Sequence, residues 1–393
     1  MKVSQVVWGV FHHFELAREL DRRGLLDTVY STFPWARLKR EGLPHSKVQT
    51  FPWLHTPEML LHRAGVRIPS WLADEMGYQG ALLFDNWTAR RIGNKEKIDA
   101  LIGLSGSALQ TGRLLQQRGG KFICDRGSTH ARYQQQIVAD EFRRWGLAIP
   151  HTDLRDILRE ETIYAMADAI TVPSSFARRS FLESGVPPEK VHTIPYGVRL
   201  EAFSRVADPP SGRNGEDRFE VLFVGHVSLR KGVPYLLQAF AKLKHPAKHL
   251  RVVGAIAPEI AQLLPRLPQS QVEFLGSVPQ AQLPAIMSAS HVMVLPSVEE
   301  GLALVQGQAL ACGCPVLATP NTGSEDLFSD GVEGFIVPVR DPDALADRMQ
   351  RLADDPNLRA RMSEAALARV QHLGGWRHYG DLWEALLLRL TGS

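Results

Sequence analysis

Residues Pro296 to Val316 read PSVEEGLALVQGQALACGCPV and follow a short apolar run, His291-Val-Met-Val-Leu295. Such a run suits a strand buried on both faces of a parallel sheet. Pro296-Ser297 breaks the strand, Glu299-Glu300-Gly301 supplies a turn, and Leu304 to Cys312 is rich in helix formers. Gly313-Cys314-Pro315 stops that helix with a C-terminal Gly followed by Pro. Val316-Leu317-Ala318 then reads as another short strand. A carboxylate therefore stands at the carboxyl end of a strand, with a helix N-terminus opening behind it. Ligands of open α/β sheets bind at that edge, and helix N-termini favour phosphate.

The same alternation extends outward on both sides. Toward the N-terminus the sequence predicts strands at Val3–Val7, Val29–Phe33, Ala100–Leu104, Lys121–Asp125, Asp168–Val172 and Val191–Ile194. Helices are expected over His12–Arg23, Ala108–Arg118, Asp153–Ala167 and from the Ser174 cap to Glu183, while residues 34 to 80 carry Pro, Trp and His at irregular spacing and show no assignable pattern. The segment 207–218, ADPPSGRNGEDR, has no apolar residue after Ala207 and reads as a linker. Beyond it, strands are expected at Phe219–Val224, His249–Val253 and Val272–Leu275. Helices are expected at Val233–Leu243, Leu283–Ala289, Pro342–Leu352, Pro356–Val370 and Trp376–Leu390. Strands alternating with helices at this spacing mean βα units and a mainly parallel sheet. The expected architecture is α/β, with two parallel-sheet domains (1–206 and 219–372), a linker at 207–218 and a final helix at 373–393. The cleft between the domains is the natural ligand site.

Composition narrows the function classes. The chain has 393 residues, 44% hydrophobic and 22% charged, with a net charge of +3. That is an ordinary globular balance, and the charge is too small to argue for nucleic acid. Three cysteines without a C-x-x-C argue against a disulfide framework and a structural zinc site. No run approaches the ~18 apolar residues of a membrane span, and the Val6–Phe11 run is too short for a secretory signal. A cytosolic location is expected. The basic cluster Arg37, Lys39, Arg40 and Lys47 reads either as a solvated loop or as a peripheral contact of the first domain with an anionic membrane face or acceptor.

Several motifs are absent: there is no G-x-G tripeptide, Walker A sequence, H-E-x-x-H or G-x-S-x-G. Asp341-Pro-Asp343 precedes a helix and reads as a cap with a first-turn acid, not a metal site. More telling is Phe223-Val-Gly-His-Val-Ser-Leu-Arg-Lys-Gly232. A strand ends at Gly225, the loop offers Arg230 and Lys231, and a helix starts near Gly232. Two cations beside a helix N-terminus suit a diphosphate.

Together these segments resemble the retaining glycosyltransferases of family 4, which have the GT-B fold. The resemblance rests on Gly225 with Lys231-Gly232, Glu300-Gly-Leu-Ala303 and Gln308-Ala-Leu-Ala-Cys-Gly-Cys-Pro-Val316. Phe274-Leu-Gly-Ser-Val278 and Ile194-Pro-Tyr-Gly-Val198 with Phe203 add to it. It is specific from about Asp168 to Val370 and weaker over the first hundred residues.

The resemblance implies a nucleotide-sugar donor on the second domain, an acceptor on the first, and no cofactor or metal. Arg230 and Lys231 would neutralise the leaving diphosphate. Glu300 and the backbone of Gly301, Leu302, Ala303 and Leu304 would hold the sugar and distal phosphate, and position 308 the ribose. Gly225, His226, Gly254, Gly276, Ser277 and Val278 would line the remaining donor site, with Gly9 touching the donor phosphate from the first domain. His12 and Arg126 would face the cleft, Arg126 suiting an acidic or phosphorylated acceptor or the diphosphate; Ser128 and His130 fall on the acceptor side. Two departures from the family pattern stand out: Gln308 replaces a second Glu, and His226 replaces an Arg. A nucleotide-sugar epimerase and a silent sugar-nucleotide-binding protein remain alternatives. The nucleobase, sugar and acceptor (glycan, lipid-linked or small molecule) stay open.

Overall fold

The computed structural model describes residues 1–53, 57, 69–198, 202–207 and 218–392. Most of the expected linker, 208–217, lies outside the described residues. The first sheet has seven strands: β1 Val3–Val7, β2 Leu26–Ser31, β3 Val48–Thr50, β4 Ala100–Leu104, β5 Lys121–Asp125, β6 Ala169–Val172 and β7 Val191–Thr193. Their order is β3-β2-β1-β4-β5-β6-β7, and all pairs are parallel. The second has six: β8 Phe219–Val224, β9 Lys248–Val253, β10 Val272–Gly276, β11 Val292–Leu295, β12 Val316–Ala318 and β13 Gly334–Ile336. Their order is β10-β9-β8-β11-β12-β13, again all parallel.

Each sheet reverses direction once, between β1 and β4 and between β8 and β11. Loops leaving neighbouring strands on either side of such a reversal diverge and leave a crevice at the carboxyl edge, where ligands bind. The reversals thus mark the loops after β1 and β4 in the first sheet and after β8 and β11 in the second. Apolar strand residues such as Val221, Leu222, Val292 and Met293 are fully buried, as strands covered on both faces require.

The C-terminal helix Trp376–Thr391 returns to the first domain. Tyr379, Trp383, Leu386 and Leu387 share a core with Val3, Phe14 and Leu16, and Arg23 bonds Glu384 at 3.0 Å. Gly197 lets the chain pass under this helix, since a Cβ there would lie 2.4 Å from the Trp376 amide nitrogen. Phe203 packs in the core of the second domain.

Several elements differ from the sequence reading, among them the following. β2 begins at Leu26, before the expected Val29, because Leu26 is itself buried and pairs with Val3. A 24-residue helix, Ser70–Gly93, occupies part of the stretch that showed no pattern. β13 was not foreseen, being only three residues long. Asp341 caps its helix as expected, accepting from the Asp343 and Ala344 amides. All three cysteines are free and buried. Among the described residues no helix is long and apolar enough to cross a membrane.

Candidate active site

The donor side is built by close backbone packing of two loops. Gly232, with φ +69°, caps helix Val233–Lys242, and a Cβ there would stand 2.0 Å from the Pro296 carbonyl oxygen. The β8 and β11 loops are thus pressed together, and the Val298 amide donates to the Arg230 carbonyl at 2.8 Å. This contact sets Arg230 and Lys231 against Glu299 and Glu300. Lys231 Nζ bonds both Glu300 oxygens. Arg230 Nη1 lies 3.2 Å from Glu299 Oε2 and 3.9 Å from Glu300 Oε1. Glu299 is fully buried, whereas Arg230 is partly open to solvent. Helix Leu304–Ala311 opens directly behind, with Gly301, Leu302 and Ala303 buried and Gln308 half-buried along it.

The other expected donor residues lie along the same edge. Gly225 and Gly254 touch: a Cβ on Gly254 would fall 1.8 Å from the Gly225 oxygen. His226 is exposed beside them, and Gly276, Ser277 and Val278 follow β10 at the outer end of the row.

On the opposite wall, Gly9 ends the β1 loop in a left-handed conformation (φ +86°), held by Thr32 Oγ1 and Ser31 Oγ. His12 Nε2 meets Asp125 Oδ2 at 2.7 Å and its ring stacks on Tyr196. His13 Nε2 lies 3.2 Å from the same oxygen, and Thr171 donates to Asp125 Oδ1 at 2.8 Å. Burial pushes the Asp125 carboxyl up, but His12, His13 and Thr171 outweigh it and hold the group below its ordinary range. Burial, reinforced by His12, lowers His13 to about 3 against the pull of Asp125, so its imidazole is neutral. By donor type, His12, His13 and Asp125 also form a set that could hold a metal ion.

The two walls meet through Glu299. Ser128 Oγ and Thr129 Oγ1 donate to Oε1 at 2.7 and 2.8 Å, and Gln134 Nε2 donates to Oε2 at 3.0 Å. Burial raises the Glu299 carboxyl, yet Arg230 and these three donors leave it depressed. Gly301 closes onto the first domain, where a Cβ would stand 2.0 Å from the Gly127 oxygen. Its carbonyl accepts from Ser174 Oγ. Glu141 makes a second junction, accepting from Tyr235 Oη at 2.6 Å and Arg340 Nε at 2.6 Å.

Two expectations need correction. Arg126 does not face an anionic ligand: its guanidinium bonds Glu160 at 2.7 Å, Gln134 at 2.8 Å and the Thr129 carbonyl at 2.9 Å. His130 is buried with its ring packed against Tyr164 and Phe181, so it is not an open acceptor-side group. Sequence alone assigned no site role to Glu299, Gln134, Glu141 or Asp125. For Glu299 a signal was present, the doubled acid at the carboxyl end of a strand.

Comparison with known proteins places the chain in a family. A family model described as "Glycosyl transferases group 1" matches residues 205–369, and one described as "Glycosyl transferase 4-like domain" matches residues 13–197. The D-inositol 3-phosphate glycosyltransferase of Streptomyces scabiei is 30% identical over 307 residues, 73% of this chain and 67% of that relative. Its counterpart in Kribbella flavida is 29% identical over 304 residues, 72% and 69% of the two chains. Among solved structures, sucrose-phosphate synthase from Thermosynechococcus elongatus superposes with a TM-score of 0.74 at 22% identity, covering 100% of this chain and 99% of the other. HepE from Anabaena, in complex with UDP and glucose, gives 0.70 at 17% identity, covering 98% and 99%. At these identities the structural likeness speaks to fold, and the fold is GT-B. The chain belongs to the group 1 glycosyltransferases of the family 4 type.

Proposed function

We propose that the chain moves a sugar from a nucleoside-diphosphate donor, held at the β8 and β11 loops, to an acceptor held by the first domain, with retention of anomeric configuration. The observation that carries this is the cluster of Arg230 and Lys231 with Glu300, facing Gly127 and Ser128 across the domain junction. As the sugar–phosphate bond lengthens, negative charge grows on the diphosphate. Arg230 and Lys231 stand where that charge develops, and the helix N-terminus at Leu304 adds its amide dipoles. In this reading Glu300 hands Lys231 to the phosphate and turns to the sugar hydroxyls. Gln308 meets the ribose through its amide, which hydrogen-bonds without bringing charge.

On the route proposed here, retention comes from a cation-like sugar attacked from the face the diphosphate leaves. The diphosphate oxygen takes the acceptor's proton, so protons balance without a separate base. Asp125, held ionised by His12, lies on the acceptor wall and steadies developing positive charge on the sugar ring. Two protein cations supply the charge neutralisation that a divalent ion supplies in other transferases, so no metal is required.

The test is release of UDP or GDP from a panel of sugar nucleotides, with product anomers read by proton NMR. An α-linked product from an α-linked donor is expected. A β-linked product overturns retention, and a rearranged sugar nucleotide without acceptor replaces transfer with epimerisation.

A further inference from the structure

Beside the inter-domain site, a recess of about 330 Å³ opens between helix Ala131–Arg144 and helix Leu154–Met166. Arg126, Asp156 and Glu160 supply its charged lining, Gln134, Gln135 and Thr152 add neutral polar groups, and Val138 and Ile149 contribute apolar wall. The volume is at the low end for small-molecule sites. Mixed walls of this kind suit a ring with apolar C–H faces and a polar rim. The recess shares a wall with the transfer site, because Gln134 bonds both Ser128 and Glu299.

Its charge is unbalanced. Arg126 is the one basic side chain in the lining, and Glu160, Gln134 and the Thr129 carbonyl already engage all three of its nitrogens. Two carboxylates face this single committed cation. Glu160 receives Arg126 and Tyr164 on the same oxygen, Oε2. Asp156, on the open rim, has no ion pair among the described residues. Its neighbours are engaged elsewhere: Arg155 with Asp153 and Glu75, and Arg159 with Asp85 and the Gly106 carbonyl. Partial burial, then Asp153 and Glu160, raise the Asp156 carboxyl above its ordinary range against the weaker pull of Arg155 and Arg159. A phosphate placed here meets repulsion and no free cation, whereas a protonated amine relieves the unpaired negative charge.

The geometry points to this recess as the acceptor's site, and to an amine-bearing polyol (an amino sugar or aminocyclitol whose ammonium meets Asp156) as its occupant in preference to a sugar phosphate. This rests on the transferase reading above and reverses the expectation that Arg126 would select an anionic acceptor.

The experiment is calorimetric titration of the full chain, saturated with UDP or GDP, using glucosamine, N-acetylglucosamine and glucose 6-phosphate as probes. Glucosamine is expected to bind at least about tenfold tighter than the other two, one tenfold step corresponding to loss of a single charge contact. Asp156→Asn should erase that preference, and Asp156→Lys should shift it toward glucose 6-phosphate, with the melting temperature of each variant confirming the fold. Equal or tighter binding of glucose 6-phosphate to the unaltered chain overturns the inference. So does failure of glucosamine to bind, or a preference that survives Asp156→Asn. Nucleotide binding in the same samples separates the two claims: if it is present the donor site on which the transferase reading depends stands whatever the probes do, and if it is absent that reading fails first.

Discussion

Gln134 of the first domain donates a 3.0 Å hydrogen bond to the buried carboxylate of Glu299 in the second. The same carboxylate holds Arg230 at 3.2 Å. The contact between the domains and the positioning of Arg230, the cation proposed to meet the donor, therefore share one side chain. In the separated domains Glu299 would find water; in the closed form it needs Ser128, Thr129, Gln134 and Arg230 together. Glu299→Ala leaves those donors without an acceptor, at a cost of about 2–3 kcal/mol. Solution X-ray scattering should show a larger radius of gyration for this variant. An unchanged radius and unchanged stability would remove Glu299 from the closure.

Lys231→Ala removes a cation from the leaving group. Loss of one such electrostatic contact lowers kcat/KM by about 10²–10³-fold. Glu300→Ala should abolish transfer while the chain stays folded, as circular dichroism would show. Full activity in either variant would move the donor site elsewhere.

Much of this was legible beforehand, for identifiable reasons. β8, β11 and helix Leu304–Ala311 are short apolar runs punctuated by Gly and Pro, so local chemistry defines them. Helix Ser70–Gly93 was not legible: exposed Trp71, Leu72, Met76 and Leu83 blur its apolar face, and its Pro69 cap gives no side-chain bond. The Glu299 and Glu141 junctions join positions 165 and 199 apart along the chain. No local window holds such pairs. Arg126 misled for the same reason, since Glu160 consumes its charge from a separate helix.

Gly301 tests the junction sterically. Gly301→Ala places a methyl group 2.0 Å from the Gly127 oxygen, so the loops must separate. Misplacement of this order slows transfer by about 100-fold. Affinity for UMP or GMP should hold, because the base and ribose are assigned to the β10 loop and Gln308, away from the Gly301 backbone expected to meet the distal phosphate. Loss of nucleotide binding would place the nucleotide across the junction instead.

His13 gives a pH signature. Its folded pKa of about 3 lies below the unfolded value of 6.5, so between those values only the unfolded chain takes up the proton. Stability must then fall as pH drops from 6.5 toward 3. The His13 contribution between pH 6.5 and 5 is about 2 kcal/mol. Urea melts of His13→Phe should show a correspondingly shallower decline. Identical slopes in the two proteins would mean that His13 takes up its proton equally in the folded and unfolded chain.

Transfer without a metal predicts that EDTA leaves the rate unchanged. A rate lost to EDTA and restored by zinc or manganese would assign a metal to His12, His13 and Asp125.

The central claim, a sugar nucleotide held by Arg230 and Lys231, is tested most directly by thermal shift with UDP- and GDP-sugars. At least one class should raise the melting temperature of the unaltered chain, and Lys231→Ala should lose that rise. No rise with either class, or a rise undiminished in Lys231→Ala, would contradict it.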